Sequence, residues 1–301
     1  MEHIHDMIII GGGPAGYTSA LYAARAGLDV VVIERMSAGG QMAVTDRIDN
    51  YSGFDGGIAG WELGMKMQAG AERFGAVTKY GEVVSVELEG RVKKVKTSSD
   101  ELLSRTVVIA TGANPRELGI EREEEYVGRG VHYCAHCDGR FYKNKVVAVV
   151  GGGNSALEDA LYLSRLAAKV YLIHRRDSFR ASKIYVDALA KSTNIEFLAN
   201  SSVSELIADE RVRGVRLADG RELEINGLFV SIGRKPASEI FRGQLELDAG
   251  GYIVADESTR TNIDGVYAVG DVRTKPLRQV VTAVGDGAVA VHFAEEYLAK
   301  V

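Results

Sequence analysis

The stretch MIIIGGGPAGYTSALYAARAGLDVVVIER, Met7 to Arg35, decides the fold. It opens with a short apolar run, Met7 to Ile10. The glycine turn Gly11-Gly12-Gly13-Pro14-Ala15-Gly16 follows, then a helix-like segment from Tyr17 to Ala26, then a second apolar run, Val30 to Ile33, closed by Glu34. Strand, glycine turn, helix and strand in this order form a dinucleotide-binding unit. Gly11 permits the tight turn, Gly13 lets a pyrophosphate approach the backbone, and Gly16 lets helix and strand pack closely. The free N–H groups of the helix N-terminus face the phosphates. An acid at the end of the second strand, here Glu34, accepts hydrogen bonds from both ribose hydroxyls.

The pattern returns in VVAVVGGGNSALEDALYLSRLAAKVYLIHRR, Val146 to Arg176. At a constant offset of 140 residues, Gly11 maps to Gly151, Gly13 to Gly153 and Gly16 to Ala156, a replacement the motif tolerates. The same offset places His174 where the first copy has Glu34. His174 is followed by Arg175 and Arg176, with Arg180 just beyond. A carboxylate there would repel a 2′-phosphate, whereas guanidinium groups hold one in two-point fashion. The first unit is therefore expected to take an unphosphorylated adenosine ribose, as in FAD or NAD, and the second NADPH.

Composition narrows the function classes. The chain is 46% hydrophobic and 26% charged, the profile of a globular protein long enough for two domains. Its net charge of -5 argues against a general nucleic-acid binder. The most apolar N-terminal run is broken by three glycines and Pro14, and it lacks the basic start of a signal peptide. No membrane segment is expected, and the expected location is cytoplasmic. There, two lone cysteines spaced C-x-x-C, Cys134 and Cys137, lean toward redox chemistry or metal rather than a structural staple. Zinc fits poorly: structural sites usually gather ligands from two separated knuckles, and no second C-x-x-C exists, so no metal is expected.

Taken in order, seven motifs make the chain resemble the low-molecular-weight NADPH-dependent thioredoxin reductases of bacteria and archaea over nearly its whole length. They are GGGPAG, GGQM (Gly39 to Met42), ATGA (Ala110 to Ala113), CAHCDG (Cys134 to Gly139), GGGNSA, HRRDSFR (His174 to Arg180) and GDVRTKPLRQVVTAVGDGAVA (Gly270 to Ala290). The resemblance implies an α/β fold with two Rossmann-like nucleotide-binding domains, doubly wound or the related three-layer ββα form. It places an FAD domain in residues 1–114 and 244–301, with an NADPH domain, 115–243, inserted between them. It assigns FAD contacts to Gly11, Gly13, Pro14, Ala15, Gly16, Glu34, Arg35, Gly40, Gln41, Asn50, Thr111, Gly112, Gly270, Asp271, Arg278, Gln279 and Val280. NADPH contacts fall on Gly151, Gly153, Asn154, Ser155, Ala156, His174, Arg175, Arg176, Arg180 and Gly233.

The resemblance also implies that Cys134 and Cys137 form the redox-active disulfide. Hydride passes from NADPH to the flavin, and electrons pass from reduced flavin to the disulfide. Dithiol–disulfide exchange with thioredoxin or a thioredoxin-like protein follows. Cys137 is expected nearer the flavin, Cys134 attacks the partner, and Asp138 moves protons for the pair. Chemically this is coherent, because only a thiolate attacks a disulfide and a departing thiolate needs a proton. A homodimer and a movement of the domains between two arrangements are further implications.

The chain departs from the pattern at His136, where relatives usually carry a small or β-branched residue. A protonated imidazole there would stabilise a thiolate and make the pair slightly more oxidising. Ser52 stands where relatives usually have proline, and Ala237-Ser238 where they carry Asn-Thr. Competing readings are a reductase of the same build serving a glutaredoxin-like or peroxidase partner, a ferredoxin-dependent reductase or dithiol oxidase, and a non-enzymatic nucleotide-binding redox sensor. The basic cluster at Arg175, Arg176 and Arg180 counts against the ferredoxin and oxidase forms.

Overall fold

The computed structural model describes residues 3–45 and 47–301. The chain forms two compact units: Met1–Asn114 with Lys235–Val301, and the inserted Pro115–Arg234.

In the first unit the opening strand Ile4–Ile10 lies at the centre of a sheet, parallel to Val30–Glu34 on one side and to Glu101–Ile109 on the other. Val77–Tyr80 extends the sheet beyond Val30–Glu34. Glu101–Ile109 changes partner along its length. Its first half pairs antiparallel with Lys93–Thr97, and its last residues, Val107 to Ile109, pair in parallel with Val266–Ala268. That late strand brings the C-terminal segment back beside the N-terminal one.

Where the parallel strands are covered on both faces, at residues 7–10, 30–33 and 107–109, they read as unbroken apolar runs. Met7, Ile9, Val30, Val32 and Val108 face a layer of helices. Ile8, Ile10, Val31, Ile33, Val107 and Ile109 face the opposite side, where Val86, Leu88, Val95 and Phe241 pack. Each such side chain, fully buried, stabilises the unit by roughly 1.5–3 kcal/mol. The helix Pro14–Arg25 begins on a proline whose missing N–H costs nothing at that position. It packs on Val280–Leu298 so closely that a Cβ at Gly287 would sit 2.4 Å from the Ala15 carbonyl oxygen.

The second unit repeats the plan. Its parallel sheet runs Ile195–Leu198, Lys169–Ile173, Val146–Val150, Gly227–Val230, Val131–His132. Val147, Val149, Val170, Leu172 and Phe229 face the helix Asn154–Ser164. Ala148, Val150, Ile173 and Leu228 face an antiparallel three-stranded sheet spanning 203–224. The fold is thus α/β, with two nucleotide-type units each built in three layers.

The second changeover between the units falls at Arg234/Lys235. Residues beyond it pack with the first unit. Thr111 Oγ1 donates to the Ala237 carbonyl (2.7 Å), Ala237 N–H donates to the Gly112 carbonyl (3.0 Å), and Phe241 is fully buried. Among the described residues no helix is long and apolar enough to cross a membrane.

Candidate active site

In the first unit, Gly11 has φ +106°, and a side chain there would meet the Ala110 carbonyl oxygen at 2.5 Å. A Cβ at Gly16 would lie 1.9 Å from the Gly11 carbonyl oxygen, so that position must be glycine for helix and strand to pack. Gly13 differs: nothing lies within 4 Å of its missing side chain. The turn is tight where the protein packs on itself and open where a pyrophosphate would approach. Glu34 is buried at the end of its strand, its carboxylate accepting from Gly12 N–H (2.7 Å) and Met36 N–H (2.9 Å). Arg35 beside it is exposed.

Two further segments converge on this turn, and a third packs nearby in the same unit. Gly39 N–H donates to the Gly12 carbonyl (2.8 Å), and the Gly40 Cβ position lies 3.5 Å from Gly13 Cα. Gly270 lies against Ala15, with its Cβ position 3.1 Å from Ala15 Cβ, and the Asp271 carbonyl accepts from Arg278 Nε (3.3 Å). Val280 opens the last helix, which Gln279 caps; Gln279 Oε1 accepts from Asn50 Nδ2 (2.9 Å). Gly40 and Gly270 are thus gathered at the turn beside Gly13 and Ala15, while Val280 packs with Met42, Ile48, Ile58 and Leu63. Gln41, Thr111 and Gly112 lie toward the chain's exit from the unit, Gln41 Nε2 donating to Asn114 Oδ1 (2.9 Å). Residues Asp49 to Asp55, including Ser52, line an open hollow of about 550 Å³.

Sequence reasoning drew no role for the ion cluster beneath this turn. Asp286 is buried and accepts from Arg273 Nε (2.9 Å), Arg273 Nη2 (3.0 Å), Lys275 Nζ (2.7 Å) and Gly270 N–H (2.9 Å). Burial alone would raise this carboxyl, but Arg273 and Lys275 hold it below the usual carboxylate range. Its signal was present as Arg273, Lys275 and Asp286, three of the five charged residues in the Gly270 to Ala290 tail.

The second unit carries the same turn. A Cβ at Gly151 (φ +151°) would meet the Ser231 carbonyl oxygen at 2.4 Å, while Gly153 again faces open space. Ala156 is fully buried; Asn154 and Ser155 are exposed at the helix start, Asn154 Oδ1 accepting from Ser182 N–H (2.7 Å). Gly233 has φ +105° at the unit's far end. His174 and the arginines part company. His174 is buried beneath Gly152, whose Cβ position lies 2.3 Å from the ring's Nε2, and that nitrogen has no partner among the described residues. Burial, then Arg175, Arg176 and Arg180, push its pKa down, so the ring is neutral near pH 7. The three arginines are exposed and, among the described residues, none makes an ion pair. Arg180 N–H donates to the Gly152 carbonyl (2.9 Å), which sets this basic segment beside the glycine turn.

Cys134 and Cys137 form a disulfide with a Cα–Cα separation of 5.3 Å. Cys134 caps the short helix Ala135–Asp138, its Sγ accepting from Cys137 N–H at 3.2 Å. That donor would stabilise a thiolate on Cys134 once the bond opens. Asp138 follows Cys137, with its side chain 17% exposed. His136 is exposed, its ring 4.2 Å from that of Tyr162 on the helix Asn154–Ser164. Asp159 on the same helix is raised by burial, against the Ser231 hydroxyl that donates to it and the nearby His136. Sequence reasoning gave Asp159 no role.

Two glycine-turn units, one with a ribose-type acid and one with an arginine edge, and a disulfide on the second define a nucleotide-dependent disulfide oxidoreductase. The chain belongs to the pyridine nucleotide-disulphide oxidoreductase family, whose model matches residues 5–287, and within it to the thioredoxin reductases. It is 47% identical over 303 residues to the thioredoxin reductase of Listeria monocytogenes, covering 99% of this chain and 95% of that one. It is 46% identical to that of Mycolicibacterium smegmatis (99% and 98% covered). The crystal structure of thioredoxin reductase from Streptococcus pyogenes superposes with a TM-score of 0.93 at 42% identity, covering both chains completely.

Proposed function

We propose that this chain is an NADPH-dependent thioredoxin-disulfide reductase that binds FAD in its first unit and NADPH in its second. The observation that carries the reading is the Cys134–Cys137 disulfide held on a unit whose glycine turn is edged by three exposed guanidiniums. Both turns fit a dinucleotide, being open at Gly13 and Gly153 and closed against backbone at Gly11, Gly16 and Gly151. When bound, FAD supplies the two-electron relay between a nicotinamide and a disulfide.

The chain's own residues do the rest. Glu34 accepts from the ribose hydroxyls of FAD, and the open face of Gly13 admits its pyrophosphate. Arg175, Arg176 and Arg180 hold the 2′-phosphate of NADPH, and His174, neutral and buried, braces Gly152. Cys134, with the Cys137 N–H at its sulfur, is the thiol that attacks the partner's disulfide. Asp138 gives and takes the proton that the pair requires. We assign the FAD domain to 1–114 and 235–301 and the NADPH domain to 115–234; the stretch 235–243, expected in the NADPH domain, packs on the first unit. We place the protein in the cytoplasm as a homodimer, on the likeness to its relatives.

The partner is thioredoxin or a thioredoxin-like protein. Steady-state turnover with NADPH and a thioredoxin, compared with a glutaredoxin-like and a peroxidase partner, tests this. Thioredoxin is expected to give the highest kcat/KM, and Cys134→Ser is expected to abolish it. Turnover that survives in Cys134→Ser would overturn the reading. Light scattering of the holoprotein is expected to return the mass of two chains; the mass of one would refute the dimer.

A further inference from the structure

His132 stands on the edge strand Val131–His132, six residues before Asp138, and is 6% exposed. Its Nδ1 lies 3.0 Å from Asp138 Oδ2 and its Nε2 lies 2.6 Å from the Tyr142 hydroxyl. The ring stacks on Phe229, centroids 5.2 Å apart, and meets Tyr142 edge-on. Asp138, His132 and Tyr142 thus form one hydrogen-bonded chain that starts next to the disulfide and ends in the core. The direction of its protons follows from Tyr142. Burial, and then the Asp138 charge, push this phenol up to about 12, so it keeps its proton near neutrality. Among the described residues its hydroxyl has one hydrogen-bond partner, His132 Nε2, and must donate there. The proton of a neutral imidazole is then on Nδ1, donated to Asp138 Oδ2. An imidazolium would turn Nε2 into a donor facing the Tyr142 hydroxyl and strand that buried O–H, which disfavours it.

We propose that His132 is a positioning residue: a neutral imidazole carrying its proton on Nδ1, it pins Asp138 Oδ2 and leaves Oδ1 to exchange the proton that disulfide reduction demands. This rests on the assignment of Asp138 as the proton carrier. Two electrons break the Cys134–Cys137 S–S bond. One proton passes from Asp138 to a cysteine sulfur, leaving one thiol and one thiolate, and Asp138 regains its proton from water. Oδ1 accepts no hydrogen bond from the protein among the described residues, whereas Oδ2 is engaged. A carboxylate fixed at one oxygen offers the other in a single orientation, and the neutral ring does not compete for the proton. The charged groups around the chain are few. Lys145 Nζ lies 5.5 Å from the Tyr142 ring centroid, Arg211 acts on Tyr142, and His136 and Asp159 lie toward the helix Asn154–Ser164.

The test reads the side chains directly. In ¹⁵N spectra of the holoprotein, His132, assigned by its absence in His132→Asn, is expected to show the neutral Nδ1–H tautomer. The Asp138 carboxyl carbon, followed by ¹³C and assigned with Asp138→Asn, is expected to change its chemical shift in His132→Leu, which removes the donor at Oδ2. His132→Asn keeps a donor and is expected to restore most of that shift. An Nε2–H tautomer, an imidazolium at neutral pH, or an unmoved carboxyl in His132→Leu would overturn the proposal. Turnover separates the two claims. If Asp138→Asn turns over at the full rate, the role of Asp138 fails whatever the spectra show. If Asp138→Asn is slow while the carboxyl ignores His132→Leu, only the positioning role fails.

Discussion

Arg175 and Arg176 give the sharpest prediction about the cofactor. Both are exposed, and neither is neutralised by an acid among the described residues. A hydrogen bond to a charged group contributes about 1.5–3 kcal/mol. Exposure to solvent and salt puts each guanidinium at the low end, so the double change to glutamine removes about 3 kcal/mol, roughly a 100-fold loss in kcat/KM for NADPH. NADH has no 2′-phosphate and is expected to change less than about twofold, since no other contact is touched. The site contains its own reporter. His174 is held down first by burial and then by Arg175, Arg176 and Arg180. Removing two of the three cations is expected to raise its ring titration while burial keeps it below the ordinary histidine value. Steady-state kinetics with both nucleotides, across ionic strength, and a proton spectrum of His174 make the test. Equal losses for NADPH and NADH, or a His174 titration that stays where it was, would refute the reasoning.

Asp286→Asn leaves Arg273 and Lys275 buried without their carboxylate and is expected to cost about 3–5 kcal/mol. For a unit of this size that is a fall in Tm of roughly 6–20 °C by calorimetry; a change under about 2 °C would contradict it. The Asp286 carboxyl is depressed in the folded state, so its contribution is complete above the unfolded value of about 3.9 and is lost as pH falls through the lower folded value. The wild type should therefore lose this part of its stability only on acidification below about pH 4, and the variant should lack that acid limb. Gly13→Ala meets open space and is expected to leave Tm within about 2 °C while weakening flavin retention, because it fills the pyrophosphate approach. Gly16→Ala drives a methyl into the Gly11 carbonyl and is expected to lower both flavin retention and stability, by about 1–3 kcal/mol. Equal stability of these two variants would show that the turn is not packed as described.

Much of the fold was legible because parallel strands buried on both faces write themselves as continuous apolar runs. Met7–Ile10 and Val146–Val150, each followed by three glycines, left little room for another reading. The observed first helix starts at Pro14, three residues before the expected Tyr17, because the glycine turn leads straight into the helix. What the sequence hid lies in contacts between distant positions. His174 occupies the register expected of a nucleotide contact, yet it turns under Gly152, which the offset from Glu34 cannot reveal. The Arg273–Asp286 pair and the His132–Asp138 contact depend on how a turn and a short helix fold back. In each pair, one residue alone reads as an ordinary surface charge.

The most direct test of the central claim is anaerobic stopped-flow reduction of the flavin-loaded protein by NADPH and, separately, NADH, with Cys134→Ser in parallel. The account predicts fast flavin bleaching by NADPH, much slower bleaching by NADH, and a Cys134→Ser variant that still bleaches yet no longer reduces thioredoxin. A fully flavinated protein that NADPH fails to bleach would contradict it.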